Sequence, residues 1–222
     1  MVDRIGFRLV TPPGWVSIAL DDTSTEPIRV VAKRIASASA PAARQQVEKL
    51  VFEQLVKTVG EARQNGGLEL LLPIEPIDGL ALPVSIVISA SPILPGATAT
   101  SQSEALLAFA GAQEHAEAQE VGGALAVRAV SDVQAVPGTT DLTRVFDTRR
   151  IAYVIAPPIA TRQLLIATGS IRRFDYDTTG EILAAMELLF DAIASTIRFE
   201  YTIQADGPDI GSTDNSDSEV TA

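Results

Sequence analysis

The chain has 222 residues, 46% of them hydrophobic and 20% charged, with no cysteine and one histidine. This length and balance suit a globular chain with a substantial core. The missing cysteines exclude disulfides, thiolate metal sites and thiol nucleophiles, and the single histidine excludes multi-histidine metal centres. The net charge is −11. Asp206, Asp209, Asp214, Asp217 and Glu219 near the C-terminus supply five of those charges, so the body carries −6. With no basic stripe to replace counterions, neither nucleic acid nor an anionic membrane is the expected partner.

The N-terminal Met1-Val-Asp-Arg-Ile-Gly-Phe-Arg lacks an apolar run of signal-peptide length, and no stretch approaches the roughly 20 apolar residues of a membrane span. The expectation is a cytoplasmic protein without membrane insertion. Phe7 to Thr11 alternates as a half-buried strand and stops at Pro12-Pro13-Gly14. Trp15 to Leu20 resumes the alternation. The only tryptophan therefore opens a strand, where a core or rim anchor is the ordinary role and ligand stacking the functional one. Ile28 to Ile35, rich in β-branched residues, reads as a further strand.

Residues 42–64 carry Val47, Leu50, Val51, Leu55, Val59 and Ala62 at intervals of three and four, which predicts a long amphipathic helix. Lys49, Glu53, Lys57 and Glu61 lie four apart on its other face, the spacing of solvated ion pairs. Asn65-Gly66-Gly67 ends it. Two strands follow, from Leu68 and from Leu82, around Asp78-Gly79, with prolines that mark strand ends or an edge. Ser101 and Glu104 have capping-box spacing and open a second helix, predicted to run on into Gln113 to Glu120. Residues 122–130, 143–155 and 163–169 then read as an antiparallel meander. Glu181 to Thr196 is a strongly patterned helix with Ile182, Met186, Leu189, Ile193 and Ile197 as its core row, flanked by Leu183 and Phe190. A closing strand follows at 197–201, and the polar residues after it predict a disordered acidic tail.

Asp175-Tyr-Asp177-Thr-Thr179-Gly180 overlaps the start of a calcium loop, with oxygen groups at alternate positions and a glycine turn. Its twelfth position is Met186 where a bidentate acid belongs, and a strand precedes it. The stronger alternative makes these acids the start of the following helix, facing its positive end. Asp175, Asp177 and Thr179 are thus the weak metal candidates, and no cofactor is expected. His115, beside Glu114, Glu117 and Glu120, is the only available imidazole base; a solvated face is the ordinary reading. Arg149-Arg150 and Arg172-Arg173 are adjacent basic pairs on strands. One member of each pair must face away from its neighbour; a solvated strand edge is the ordinary reading and an anion or partner site the functional one, so Arg149, Arg172 and Arg173 join Trp15 as candidates for a partner surface.

The order of elements resembles the PsbP-like fold family. The resemblance rests on Phe7-x-x-x-x-Pro-x-Gly-Trp15 and on Leu188-Leu-Phe-Asp-Ala-Ile-Ala-Ser-Thr-Ile-Arg-Phe199, and spans Phe7 to Tyr201. It implies an α+β domain over 1–205, an antiparallel β-sheet flanked by helices as an α/β/α sandwich, with the acidic tail at 206–222. Together with 14 arginines against 3 lysines, it suggests an actinobacterial branch of the family. It also implies a non-catalytic role in binding or assembling another protein, with secretion as one setting and homo-oligomers allowed. A hydrolase using carboxylates or His115 is the alternative, and a structural subunit of a larger assembly is the third.

Overall fold

A computed structural model describes residues 6–76, 82, 84–93, 101–136, 146–158, 162–173, 177 and 179–200. The elements run β1 (Gly6–Arg8), β2 (Trp15–Ala19), α1 (Glu26–Ser37), α2 (Arg44–Gln64), β3 (Gly67–Pro73), β4 (Val84–Pro92) and α3 (Gln102–Gly111). They continue β5 (Ala116–Val121), β6 (Ala124–Val133), β7 (Thr148–Ile155), β8 (Gln163–Arg172), α4 (Glu181–Ser195) and β9 (Arg198–Glu200). Seven strands form one antiparallel sheet in the order β2-β3-β4-β8-β7-β6-β5. This is the expected α+β architecture with helices on both faces.

The alternation of side chains along each strand assigns the helices to faces. Ile86, Ile88, Ile151, Tyr153, Ile155, Leu165 and Ala167 share one core with Phe190 and Ile193 of α4. On the opposite face, Leu70 and Ile18 meet Ile28 and Val31 of α1 and Leu55 and Val59 of α2. Val127, Val154 and Leu164 meet Leu106 of α3 on that face. Ser101 and Glu104 form the expected capping box at the start of α3.

Several sequence-based expectations change. Residues 28–35 belong to a helix: Ile28, Val31, Ala32 and Ala36 are its buried residues, a period that fits α1 and not a strand. Pro27 sits in the first turn, where its missing N–H costs nothing. Packing against α2 here outweighs the strand preference of Val and Ile. Gln113 to Glu120 does not continue α3, because Gly122 and Gly123, with φ of 59° and 78°, make a two-residue turn that folds β5 back on β6. The closing strand β9 does not join the large sheet; it pairs with β1 in a two-stranded sheet of its own. Leu50, assigned to the apolar face of α2, is 58% exposed.

Of the prolines in the two predicted strands, Pro73 is the last residue of β3 and Pro83 lies outside the described residues, while β4 itself is a central strand that runs on to Pro92, which was expected in a loop. The core row of α4 is rotated slightly from expectation. Met186, Phe190, Ile193 and Ala194 are buried, whereas Leu189 is only partly so. Asp175, the Asp78-Gly79 turn and the acidic tail lie outside the described residues.

Candidate functional site

On the α4 face, the end of the sheet formed by β5, β6 and β7 departs from the apolar rule. Arg128 belongs to the same inward set as Ala124, Ala126 and Val130, and Arg149 to the same set as Ile151, Tyr153 and Ile155. Both guanidiniums therefore point beneath α4. There they meet Glu187 and Asp191, which stand four apart and so project from one side of the helix.

The geometry is that of a closed ionic network. Arg128 Nε and Nη2 donate to the two oxygens of Asp191 at 3.0 and 3.1 Å. Arg149 makes the same bidentate contact with Asp132, its cross-strand neighbour, at 2.8 and 2.9 Å. Its Nη1 also donates to Glu187 at 2.7 Å. Glu187 lies 3.8 Å from Arg128 and so links the two pairs. The Tyr153 hydroxyl donates to Asp191 at 3.0 Å, and Arg173 approaches Asp132 at 3.9 Å. Bidentate pairing of this kind adds directional rigidity to charge attraction.

Protonation follows from the contacts. Hydrogen bonds from Arg149 hold Asp132 below its ordinary carboxylate range against an opposing effect of burial. Burial first, and the negative charge of Asp191 second, push Tyr153 up to about 12. Burial alone would lower Arg128, but its hydrogen bonds and attraction to Asp191 leave it raised. Arg149 is raised through Asp132 and then Glu187, again against burial. Every one of these shifts preserves the neutral-pH charge state.

A cleft of about 780 Å³ opens beside the network. Arg128, Asp132 and Arg149 line it together with Glu114, His115 and Glu117, from the α3–β5 connection and β5, Glu117 being the cross-strand neighbour of Arg128. No described hydrogen bond joins His115 to Glu114 or Glu117.

The residues singled out in the sequence are thus distributed unevenly. Arg149 and Arg173 enter the network, and His115 reaches its cleft. Arg172 stacks over Phe146, and Trp15, 9% exposed, joins the core at the opposite end of the sheet. Asp177 caps α4: its two oxygens accept from the N–H groups of Ile182 at 3.3 Å and Leu183 at 2.9 Å. Thr179 Oγ1 accepts from the N–H of Glu181 at 3.4 Å. Among the described residues no group of three or more acids or histidines is arranged to hold a metal ion. Arg128, Asp132, Tyr153, Glu187 and Asp191 were not singled out. Their signal was present as an arginine on the inward parity of each of two apolar strands, matched by two acids flanking the core row of a helix.

No family model and no curated protein matches the chain. Among solved structures, it is similar to the Ran-binding protein Mog1p of Saccharomyces cerevisiae, at 13% identity and a TM-score of 0.43, covering 87% of this chain and 89% of that one. It is also similar to LpqN, involved in cell envelope biogenesis of Mycobacterium tuberculosis, at 11% identity and a TM-score of 0.43, covering 89% and 85%. No described helix is long and apolar enough to cross a membrane.

Proposed function

We propose that the chain is a cytoplasmic, non-catalytic module that binds or assembles another protein, with residues 1–205 as one domain and 206–222 as an appended tail. Its docking surface is the charged end of the sheet, where β5 and the cleft lie together. The observation supporting this is the closure of the ionic network. Asp132, Glu187 and Asp191 already face guanidiniums, and the clear shifts move Asp132 and Tyr153 away from neutral pH. General acid–base catalysis works best with a group whose pKa lies near the working pH. A surface of fixed charge and fixed shape suits recognition instead.

A hydrolytic reading is favoured by one observation, that His115 shares the cleft with Glu114, Glu117 and Ser131. It needs an orienting hydrogen bond to the imidazole, and the described residues supply none from Glu114 or Glu117. Affinity capture from the source lysate with the intact chain, compared with Glu114→Lys/Glu117→Lys, tests the binding reading. The expected result is a saturable protein partner that the variant loses while keeping its fold. A chain that captures nothing, or hydrolyses a substrate panel until His115→Ala abolishes turnover, overturns it.

A further inference from the structure

The two end strands of the large sheet differ. In β2 buried and exposed side chains interleave, whereas β5 has four consecutive exposed residues, Glu117 to Glu120. Its pairing with β6 runs unbroken from Ala116 opposite Ala129 to Val121 opposite Ala124. The N–H of Val130 donates to the carbonyl of His115 at 3.3 Å. In an antiparallel ladder this phase turns the backbone of Glu117 and Gln119 toward β6, and that of Ala116, Ala118 and Glu120 toward the edge that no described strand pairs with.

That edge lacks most devices that block strand pairing. β5 contains no proline, lysine or bulge, and methyl groups are the only side chains on Ala116 and Ala118. Its hairpin tip is anchored, because Gly122 packs so closely on the carbonyl oxygen of Ile197 that a Cβ there would come within 2.5 Å. The remaining device is charge. Glu117 and Glu120 lie three apart on β5, so their side chains leave opposite faces of the sheet, and Glu114 continues the spacing just before the strand. Antiparallel pairing of two copies through β5 would crowd these carboxylates together, which is destabilising across a ladder.

We infer that β5 accepts, by strand addition, an extended segment of another protein carrying Lys or Arg about every third residue. The inference rests on the binding reading above and names its mode and partner chemistry. Main-chain hydrogen bonds to Ala116, Ala118 and Glu120 supply affinity, and the three glutamates supply selection.

Fluorescence anisotropy with three labelled peptides tests it: a Lys-Thr-Thr repeat, a Glu-Thr-Thr repeat, and the Lys-Thr-Thr repeat N-methylated at alternate backbone positions. The lysine peptide is expected to bind, while the glutamate and N-methylated peptides bind at least about tenfold more weakly. Ala118→Pro removes one outward N–H and leaves the β6 ladder intact, so it is expected to lose about tenfold as well, with its melting curve checked alongside. Should that variant not fold, Glu117→Lys/Glu120→Lys, which changes exposed side chains only, is expected to invert the preference to the glutamate peptide. Equal binding of the methylated and unmethylated lysine peptides, or no inversion, overturns strand addition. If the native partner is captured equally by wild type and Ala118→Pro but lost by Glu117→Lys/Glu120→Lys, strand addition fails and the binding reading stands. If wild type captures nothing, both fail.

Discussion

One helix, α4, covers two unlike halves of the same sheet face. Over β8 it sets Phe190 against Gly169, where a Cβ would come within 2.8 Å of the ring. Over β6 and β7 it sets Glu187 and Asp191 against two arginines. The apolar half stabilises through removal of surface from water and contact without voids. Removing charges from water is costly, so the ionic half contributes little net stability and much orientation. The two halves therefore respond differently to truncation, to isosteric replacement, to pH and to salt.

Truncation separates them most strongly. Phe190→Ala leaves a cavity at a site 1% exposed, and a loss of about 3–5 kcal/mol is expected from urea denaturation. A loss below about 1 kcal/mol would show that α4 does not hold this packing in solution. Asp191→Ala removes the bidentate partner of Arg128, only 15% exposed, leaves it Glu187 alone at 3.8 Å, and takes the acceptor from Tyr153, so about 2–3 kcal/mol is expected. The distinguishing result is the double change Arg128→Met/Asp191→Leu. It should recover most of that loss, because a matched apolar pair avoids the desolvation cost. No apolar-half double truncation should recover in this way.

Tyr153→Phe deletes one hydrogen bond and should cost about 1 kcal/mol at neutral pH. Its sharper signature lies in alkali. The folded phenol titrates at about 12 and the unfolded one near ~10. Its contribution is thus complete below the unfolded value and is lost as pH rises through the folded one. Wild type should lose stability across that window, and Tyr153→Phe should not show this component. Asp132 works in the opposite direction. Its lowered folded value gives a contribution that is complete above the unfolded value near ~3.9 and is lost as pH falls through the folded one.

The same contrast explains what was legible in the sequence. The α4 stripe, the capping box at Ser101 and the β6–β7–β8 meander follow from periodicity and turn chemistry, which are local. Helix α1 was missed because Ile28, Val30 and Val31 favour strands locally, while burial against α2 is a non-local fact. Strand β5 was missed because Ala116-Glu-Ala-Gln-Glu120 is a good helical composition, and its fate is decided by two glycines beyond its end. The ionic network needed both levels. Strand parity points Arg128 and Arg149 inward, but only the register of β6 against β7 and the placement of α4 bring Asp132, Glu187 and Asp191 to them.

The smallest effect sharpens the comparison from outside the network. Lys57 and Glu61 of α2, four apart as their spacing predicts, lie 3.8 Å from each other with side chains 61% and 52% exposed. Water screens this pair and neither ion is desolvated, so Lys57→Ala should change stability by only about 0.3 kcal/mol. Raising salt to about 1 M contracts the screening length to roughly 3 Å and should erase even that difference. The loss caused by Asp191→Ala should persist in the same salt, because it arises from a guanidinium deprived of its partner beneath α4. Equal salt sensitivity of the two variants would place Arg128 in bulk solvent and remove the physical distinction between the ionic end and an ordinary surface pair.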